Sequence, residues 1–227
     1  MKHSSLFLVL IIIALWGCDE SSNDLTEGEI VYSIYYPEED TNGLMYDMMP
    51  TEMNYIFTKY KTKSEITAGM GLFRSAYIND LKKNQLSQTL KMLNKKYQST
   101  YQENSFNQLN PKFADLTIRF TDETDSILNF LCHKAEFTIG GSDKNYSVYY
   151  TKEIGSPNPN TGTPFASIPG IMLKYTVENF GIIMEFTAES VHQKKIDSND
   201  FKIGEEYAVI PPDELKSQIE SIFQSTR

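Results

Sequence analysis

GEIVYSIYY, residues 28–36, alternates: Ile30, Tyr32, Ile34 and Tyr36 fall on one face of an extended chain, and the residues between them on the other. Successive side chains of a strand point to opposite faces, so this stretch reads as a half-buried strand. The pattern recurs downstream. Leu116, Ile118 and Phe120 share one side of LTIRF, while Thr117 and Arg119 take the other. Ala135, Phe137 and Ile139 line up in residues 133–139, and GGSDKN (residues 140–145) supplies turn chemistry before another strand over residues 146–151. Residues 171–177 and 182–191 form two further strands, joined by ENFG (residues 178–181) as a hairpin. One-face patterning of this kind belongs to antiparallel sheet. The fold predicted is mainly β with few helices: an antiparallel sheet with a C-terminal helix packed on it.

Two segments depart from the strand pattern. Pro211, Pro212, Asp213 and Glu214 give a rigid start to a helix and place acidic groups near its positive end. Leu215, Ile219, Ile222 and Phe223 then make one apolar stripe, which is expected to pack on the sheet. In QLSQTLKMLNKKY the residues Leu86, Leu90, Leu93 and Tyr97 have helical spacing, yet Leu86, Leu90 and Met92 also share one face of a strand. Periodicity leaves both readings open. A short helix near residues 103–109 would end before Pro111, and GSPNPNTGTP (residues 155–164) is a loop, since its prolines and glycines break regular structure.

The N-terminus carries a different signal. Lys2 precedes an unbroken apolar run over residues 6–16, too short for the roughly 20 residues of a membrane-spanning helix but suited to the centre of a secretory leader. Leu15, Gly17 and Cys18 then resemble a bacterial lipobox, with cleavage after Gly17 and lipidation of Cys18. This reading divides the chain into a signal peptide (residues 1–17), a lipidated, acidic, flexible tether (residues 18–27) and one domain (residues 28–227). Three acyl chains on Cys18 would anchor it stably, because one chain alone binds only marginally. The expected location is the cell envelope, through a lipid anchor in the outer membrane, with periplasmic and surface-exposed sides both open.

Thirty acidic residues against twenty-one basic ones give a net charge of −9. Nucleic acid is therefore not an expected partner, since its binding depends on Lys and Arg neutralising phosphates. With Cys18 acylated, Cys132 is left without a disulfide partner, and one hydrophobic core has to stabilise the domain.

ILNFLCHKAEF, YSVYYTKEIG and FASIPGIMLKY occur in the order seen in the GLPGLI family of secreted or lipid-anchored proteins. SIPGIML resembles the signature that names that family, with Ser167 and Ile168 where it has Gly and Leu, and Pro169 and Gly170 retained. Upstream, MNYIFTKYKTKSE, GMG and LSQTLKMLNKKYQSTY are similar to a related uncharacterised lipoprotein family. Together these resemblances cover most of the chain beyond Cys18. They favour strands over helix for residues 86–101. Both families belong to the LolA-like group, so the resemblance implies an incomplete, strongly curved half-barrel whose relatives carry lipids or lipoproteins on the concave side.

Candidate site residues follow from this. Pro169 and Gly170 suit a strand start with close backbone approach, either structural or beside a ligand. Met45, Met48, Met49 and Met70, near Met53, are candidate apolar ligand contacts, because methionine is flexible and polarizable. Tyr146, Tyr149, Tyr150 and Tyr175 suit a pocket mouth as well as ordinary strands. No catalytic or metal-ligating set is expected, and no cofactor. Cys132 and His133 are neighbours in a strand and point to opposite faces, and Cys132 reads as a small buried apolar residue. Asp122, Glu123 and Asp125 read as a solvated turn. Zinc-type cysteine pairs, H-E-x-x-H, G-x-S-x-G and a phosphate loop are missing from the sequence. The function expected is a non-enzymatic, lipid-anchored protein that binds an apolar ligand, a lipid or acylated partner. An interaction module with a filled barrel is the alternative, with a hydrolase third and any protein partner unspecified.

Overall fold

The alternation that opens the chain's folded part becomes the centre of a single large sheet. The computed structural model describes residues 25–43, 46–101, 106, 110, 113–140, 144–156, 158–179 and 181–224. Cys18, Gly17 and Met45 lie outside the described residues, as does most of the helix expected near residues 103–109. Of that segment Phe106 is helical.

Six strands follow one another first: β1 (Gly28–Tyr35), β2 (Glu52–Phe57), β3 (Lys61–Ala68), β4 (Phe73–Asp80), β5 (Gln85–Met92) and β6 (Lys95–Tyr101). Five more return: β7 (Thr117–Ile127), β8 (Phe130–Thr138), β9 (Asn145–Thr151), β10 (Ile171–Asn179) and β11 (Ile182–Gln193). The short β12 (Ala208–Val209) and the helix α1 (Pro212–Gln224) complete the chain. The sheet order is β12-β6-β5-β4-β3-β2-β1-β11-β10-β9-β8-β7. Two meanders of hairpin-linked strands therefore meet at one long-range pairing, β1 with β11. Every neighbouring pair is antiparallel except β12 with β6. The mainly-β architecture, with one C-terminal helix on an open sheet, is the one the alternation predicts. Leu86 to Tyr101 is a strand pair and not a helix.

β1 has its inward face fully committed, with Ile30, Tyr32, Ile34 and the following Tyr36 all buried. They form one core with Phe57, Ile171, Leu173 and Phe186. A second cluster gathers Ala135, Phe137, Val148, Phe165 and Ile168. The helix contributes a third, in which Leu215 and Ile219 pack on Leu90 beside Phe73 and Tyr97. The predicted stripe on α1 thus meets β5 and β6. Burying a leucine or isoleucine side chain contributes about 1.5–3 kcal/mol, which is enough to hold a short helix that would be marginal alone.

Two assignments differ from expectation. Leu25, assigned to the tether, already belongs to the fold: it bridges Ile154 in parallel, and its carbonyl accepts from the Gly155 amide at 2.6 Å. Asp122, Glu123 and Asp125 lie within β7 and not in a turn. β7 is the sheet's edge strand, where charged side chains have free access to water and discourage edge-to-edge pairing. Its register shifts between Phe120 and Thr124, so this stretch lacks the clean alternation that would mark it as strand.

The sheet is curled. From β4 to β10 there are five inter-strand steps, a span of roughly 24 Å if flat, at about 4.8 Å per step. Yet Asn79, on β4, hydrogen-bonds through its side-chain nitrogen to the Thr161 carbonyl, in the loop that leads into β10. Side chains of β4 and β10 also wall one cavity. Only strong curvature brings these elements together.

Candidate functional site: the concave cavity

The inward faces of β2 to β5 form one wall of this cavity, and alternation decides which residues reach it. Phe73, Ser75, Tyr77 and Asn79 arrive from β4, Thr62, Ser64 and Ile66 from β3, and Leu86 and Gln88 from β5. The opposite wall comes from β10 and β11, with Tyr175, Val177, Met184 and Phe186. Phe106, Phe113 and Ile219 of α1 contribute from one side, and Pro159, Asn160, Thr163, Pro164 and Phe165 come from the loop before β10. The space between these walls, partly open to solvent, is about 280 Å³. That lies near the lower end of small-molecule pockets, and it is roughly twice the ~150 Å³ apolar cavity that takes up benzene.

Among the described residues the lining contains no Asp, Glu, Lys, Arg, His or Cys. Its polar members are neutral: hydroxyls, amides and phenols. Burial pushes the Tyr55, Tyr77 and Tyr175 phenols well above their ordinary value of 10.0, so all three stay neutral. A hydrogen bond from Thr62 partly offsets this at Tyr55. Tyr175 stacks on Phe186 with ring centroids 4.8 Å apart, and its hydroxyl faces the Met53 sulfur at 3.9 Å. Phe106 sits against both Tyr77 and Tyr101, at 6.1 and 5.4 Å.

The capping loop is fixed from below. The Asn160 side-chain nitrogen donates to the carbonyls of Ile168 and Gly170, each at 2.9 Å. Thr163 donates from its hydroxyl to the Asn160 carbonyl at 2.6 Å. Phe165 meets Phe137 edge-on at 5.1 Å. A segment rich in Pro and Gly is thereby held as a lid on the sheet.

The sequence-selected residues divide around this site. Met53 lines the cavity, and Met49 packs against the neighbouring core without reaching it. Met70 is fully exposed at a turn between β3 and β4, held by positive φ at Gly69, Met70 and Gly71. That turn points it away from the apolar interior, which corrects its selection as a ligand contact. Met48 falls in a short 3-10 turn (Tyr46–Met48), and Met45 lies outside the described residues. The methionines that do wall the cavity with Met53 are Met172 and Met184. Pro169 and Gly170 stand behind the lining and not in it. Among the four tyrosines only Tyr175 lines the space, and Tyr146 instead donates from its hydroxyl to Glu178 at 2.8 Å. Cys132 is buried, as expected for a small packed residue, and desolvation pushes its thiol up to about 11. Among the described residues no group of acidic, histidine or cysteine side chains is placed to hold a metal ion. No helix among them is long and apolar enough to cross a membrane.

Sequence reasoning did not select Ser75, Tyr77, Asn79 or Gln88. The available signal was polar residues on the inward parity of an otherwise half-buried strand, in FRSAYIND and QLSQTLKM.

Comparison with solved structures places the fold in company. No family model and no curated protein sequence matches the chain. Two crystal forms of PNGF-II are similar to it. The C2 form has a TM-score of 0.54 and 19% identity over 88% of this chain and 33% of that one. The P21 form gives 0.54 and 19% over 89% and 34%. The chain spans about a third of PNGF-II, and at this identity the likeness is one of fold. An uncharacterised conserved protein from Thermus thermophilus aligns with a TM-score of 0.45 and 8% identity over 85% of this chain and 93% of that one.

Proposed function

We propose that this protein is a lipid-anchored, non-enzymatic envelope protein of the LolA-like group, akin to the GLPGLI family, that holds an apolar ligand in the concave side of its sheet. The supporting observation is the cavity itself: about 280 Å³ walled mostly by Met, Phe, Tyr, Ile, Val, Leu and Pro, with neutral Ser, Thr, Asn and Gln side chains among them and no charged side chain among the described lining residues. An apolar molecule entering it leaves water at a gain of roughly 25 cal/mol per Å² buried. The same open space favours a carrier over a scaffold with a filled interior. Acid–base or nucleophilic chemistry would need titratable groups near neutral pH in contact with the substrate, and the described lining supplies none.

The test uses the full chain carrying Cys18→Ser, which prevents acylation, isolated from a bacterial envelope and extracted for mass spectrometry. A co-purifying apolar molecule is expected. Ser64→Trp, which places an indole in the cavity, should lower its recovery about tenfold with the circular dichroism spectrum retained. No bound molecule, together with no uptake of the apolar fluorophore N-phenylnaphthylamine, would overturn the reading.

A further inference from the structure

The chain enters its sheet at one end of the strands, and that end is rich in lysine although the protein carries a net charge of −9. Gly28, the first residue of β1, lies between Phe57 of β2 and Gln193 of β11. From Phe57 the chain runs on into Thr58, Lys59, Tyr60 and Lys61, and from Gln193 into Lys194 and Lys195. The next hairpin, between β4 and β5, adds Lys82 and Lys83. It stands against the β2–β3 hairpin: the Leu81 amide donates to the Tyr60 carbonyl at 2.9 Å, and Lys82 Nζ lies 3.9 Å from the centre of the Tyr60 ring. Lys59 approaches the same ring at 5.6 Å. Lys61 lies over Phe201 at 5.9 Å, which joins this hairpin to the Ser198–Phe201 turn beyond Lys195.

The carboxylates at this end are largely committed. Asp80 is shared by Lys61 and Lys83, at 3.6 and 4.0 Å, and Glu29 takes Lys194 at 2.9 Å. Glu27, Asp197 and Asp200 accept from backbone amides. Lys59 and Lys82 meet a ring in place of a carboxylate, and Lys195 is exposed. Between the lysines Tyr60 is itself 42% exposed. An aromatic body with a polar tip, flanked by cations on long apolar stems, suits the headgroup layer of a bilayer, where ammonium groups meet phosphate and the ring lies among the ester groups.

Resting on the lipid-anchor reading above, we infer that this end of the sheet faces the bilayer that holds Cys18 and binds anionic phospholipid headgroups through Lys59, Lys82, Lys83 and Lys195, with Tyr60 at the interface. Leu25, where the described fold begins, follows Cys18 by seven positions. That length reaches at most about 25 Å, so an acylated Cys18 keeps the lysines close to the membrane surface. Surface charges attract within a Debye length, about 8 Å at physiological salt, so the lysines act once the domain is held this close. The exposed Met70 turn then points away from the membrane, because an eight-residue strand such as β3 separates the two ends by about 26 Å.

The experiment uses the wild-type chain, matured and acylated in a bacterial host. It is reconstituted into vesicles of phosphatidylcholine alone or of an equal mixture with phosphatidylglycerol. Sulfosuccinimidyl acetate then labels accessible lysines, and mass spectrometry reads each one. In the anionic vesicles, labelling of Lys59, Lys82, Lys83 and Lys195 is expected to fall about fivefold. It should return at about 1 M salt, where the Debye length shrinks to about 3 Å. Lys95, at the opposite end of the strands, should label equally in both vesicles. The triple variant Lys59→Gln, Lys82→Gln, Lys195→Gln should lose the protection of Lys83. Equal labelling of the four lysines in the two vesicles overturns the headgroup assignment and leaves the anchor standing. This holds whether the labelling is high, as for lysines in water, or low, as when the acidic segment after Cys18 covers them. No acyl mass on Cys18, with no association with either vesicle, overturns the anchor and this orientation together.

Discussion

Gly170 carries more of the fold than its size suggests. A Cβ built on it would lie 2.2 Å from the Thr151 carbonyl oxygen, on the strand that pairs with β10. Backbone carbonyls cannot step aside as flexible side chains do, so any larger residue has to push β9 and β10 apart. Its own carbonyl also accepts from Asn160, the residue that fastens the capping loop. Gly170→Ala is accordingly expected to cost about 2–3 kcal/mol, seen as a lower urea midpoint with an unchanged slope. The close approach is legible in the Pro-Gly pair, because glycine at a strand start commonly marks it. The Asn160 clamp is not legible: an Asn within GSPNPNTGTP carries no mark of which carbonyls it will face. The same holds for Asn79, whose partner lies 82 positions along the chain.

At the scale of elements, turn backbone and strand period explain both what could be read and what could not. Residues four apart share a face in a strand and nearly so in a helix, so Leu86 and Leu90 could not separate the two. Gln88, buried on the inward face, removes the apolar residue that would have tipped the pattern towards period two. The β5–β6 turn is stranger still. Leu93 adopts φ 55 and is 59% exposed, a left-handed conformation that crowds a leucine side chain without any compensating burial. Its amide donates to the Leu72 carbonyl at 2.8 Å, which holds the turn in place. Leu93→Asn keeps that backbone bond and relieves the crowding, because asparagine tolerates this region. It should stabilise the chain by about 0.5–1 kcal/mol, measured as a rise in thermal midpoint.

For the molecule as a whole, the decisive feature is that two local meanders enclose a neutral, tyrosine-rich interior through one distant strand pairing. That arrangement couples stability to alkaline pH. Tyr55, Tyr77 and Tyr175 are acids whose folded-state values are raised above 10.0 because burial disfavours the phenolate. Below pH 10 both folded and unfolded chains hold these protons, and the native state keeps its full stability. Above it the unfolded chain releases them while the folded chain does not, so stability falls as pH rises, by up to about 1.4 kcal/mol per tyrosine per pH unit. Phenolate absorbance should therefore include a cooperative rise that coincides with loss of the β circular dichroism signal. Tyr175→Phe removes one of the withheld protons and should make the fall of stability between pH 10 and 12 less steep by about a third of the share these three residues carry. A single gradual titration centred on pH 10, with the fold intact throughout, would show that water reaches the cavity wall freely, and the interior could not then be the dry apolar site on which ligand binding depends.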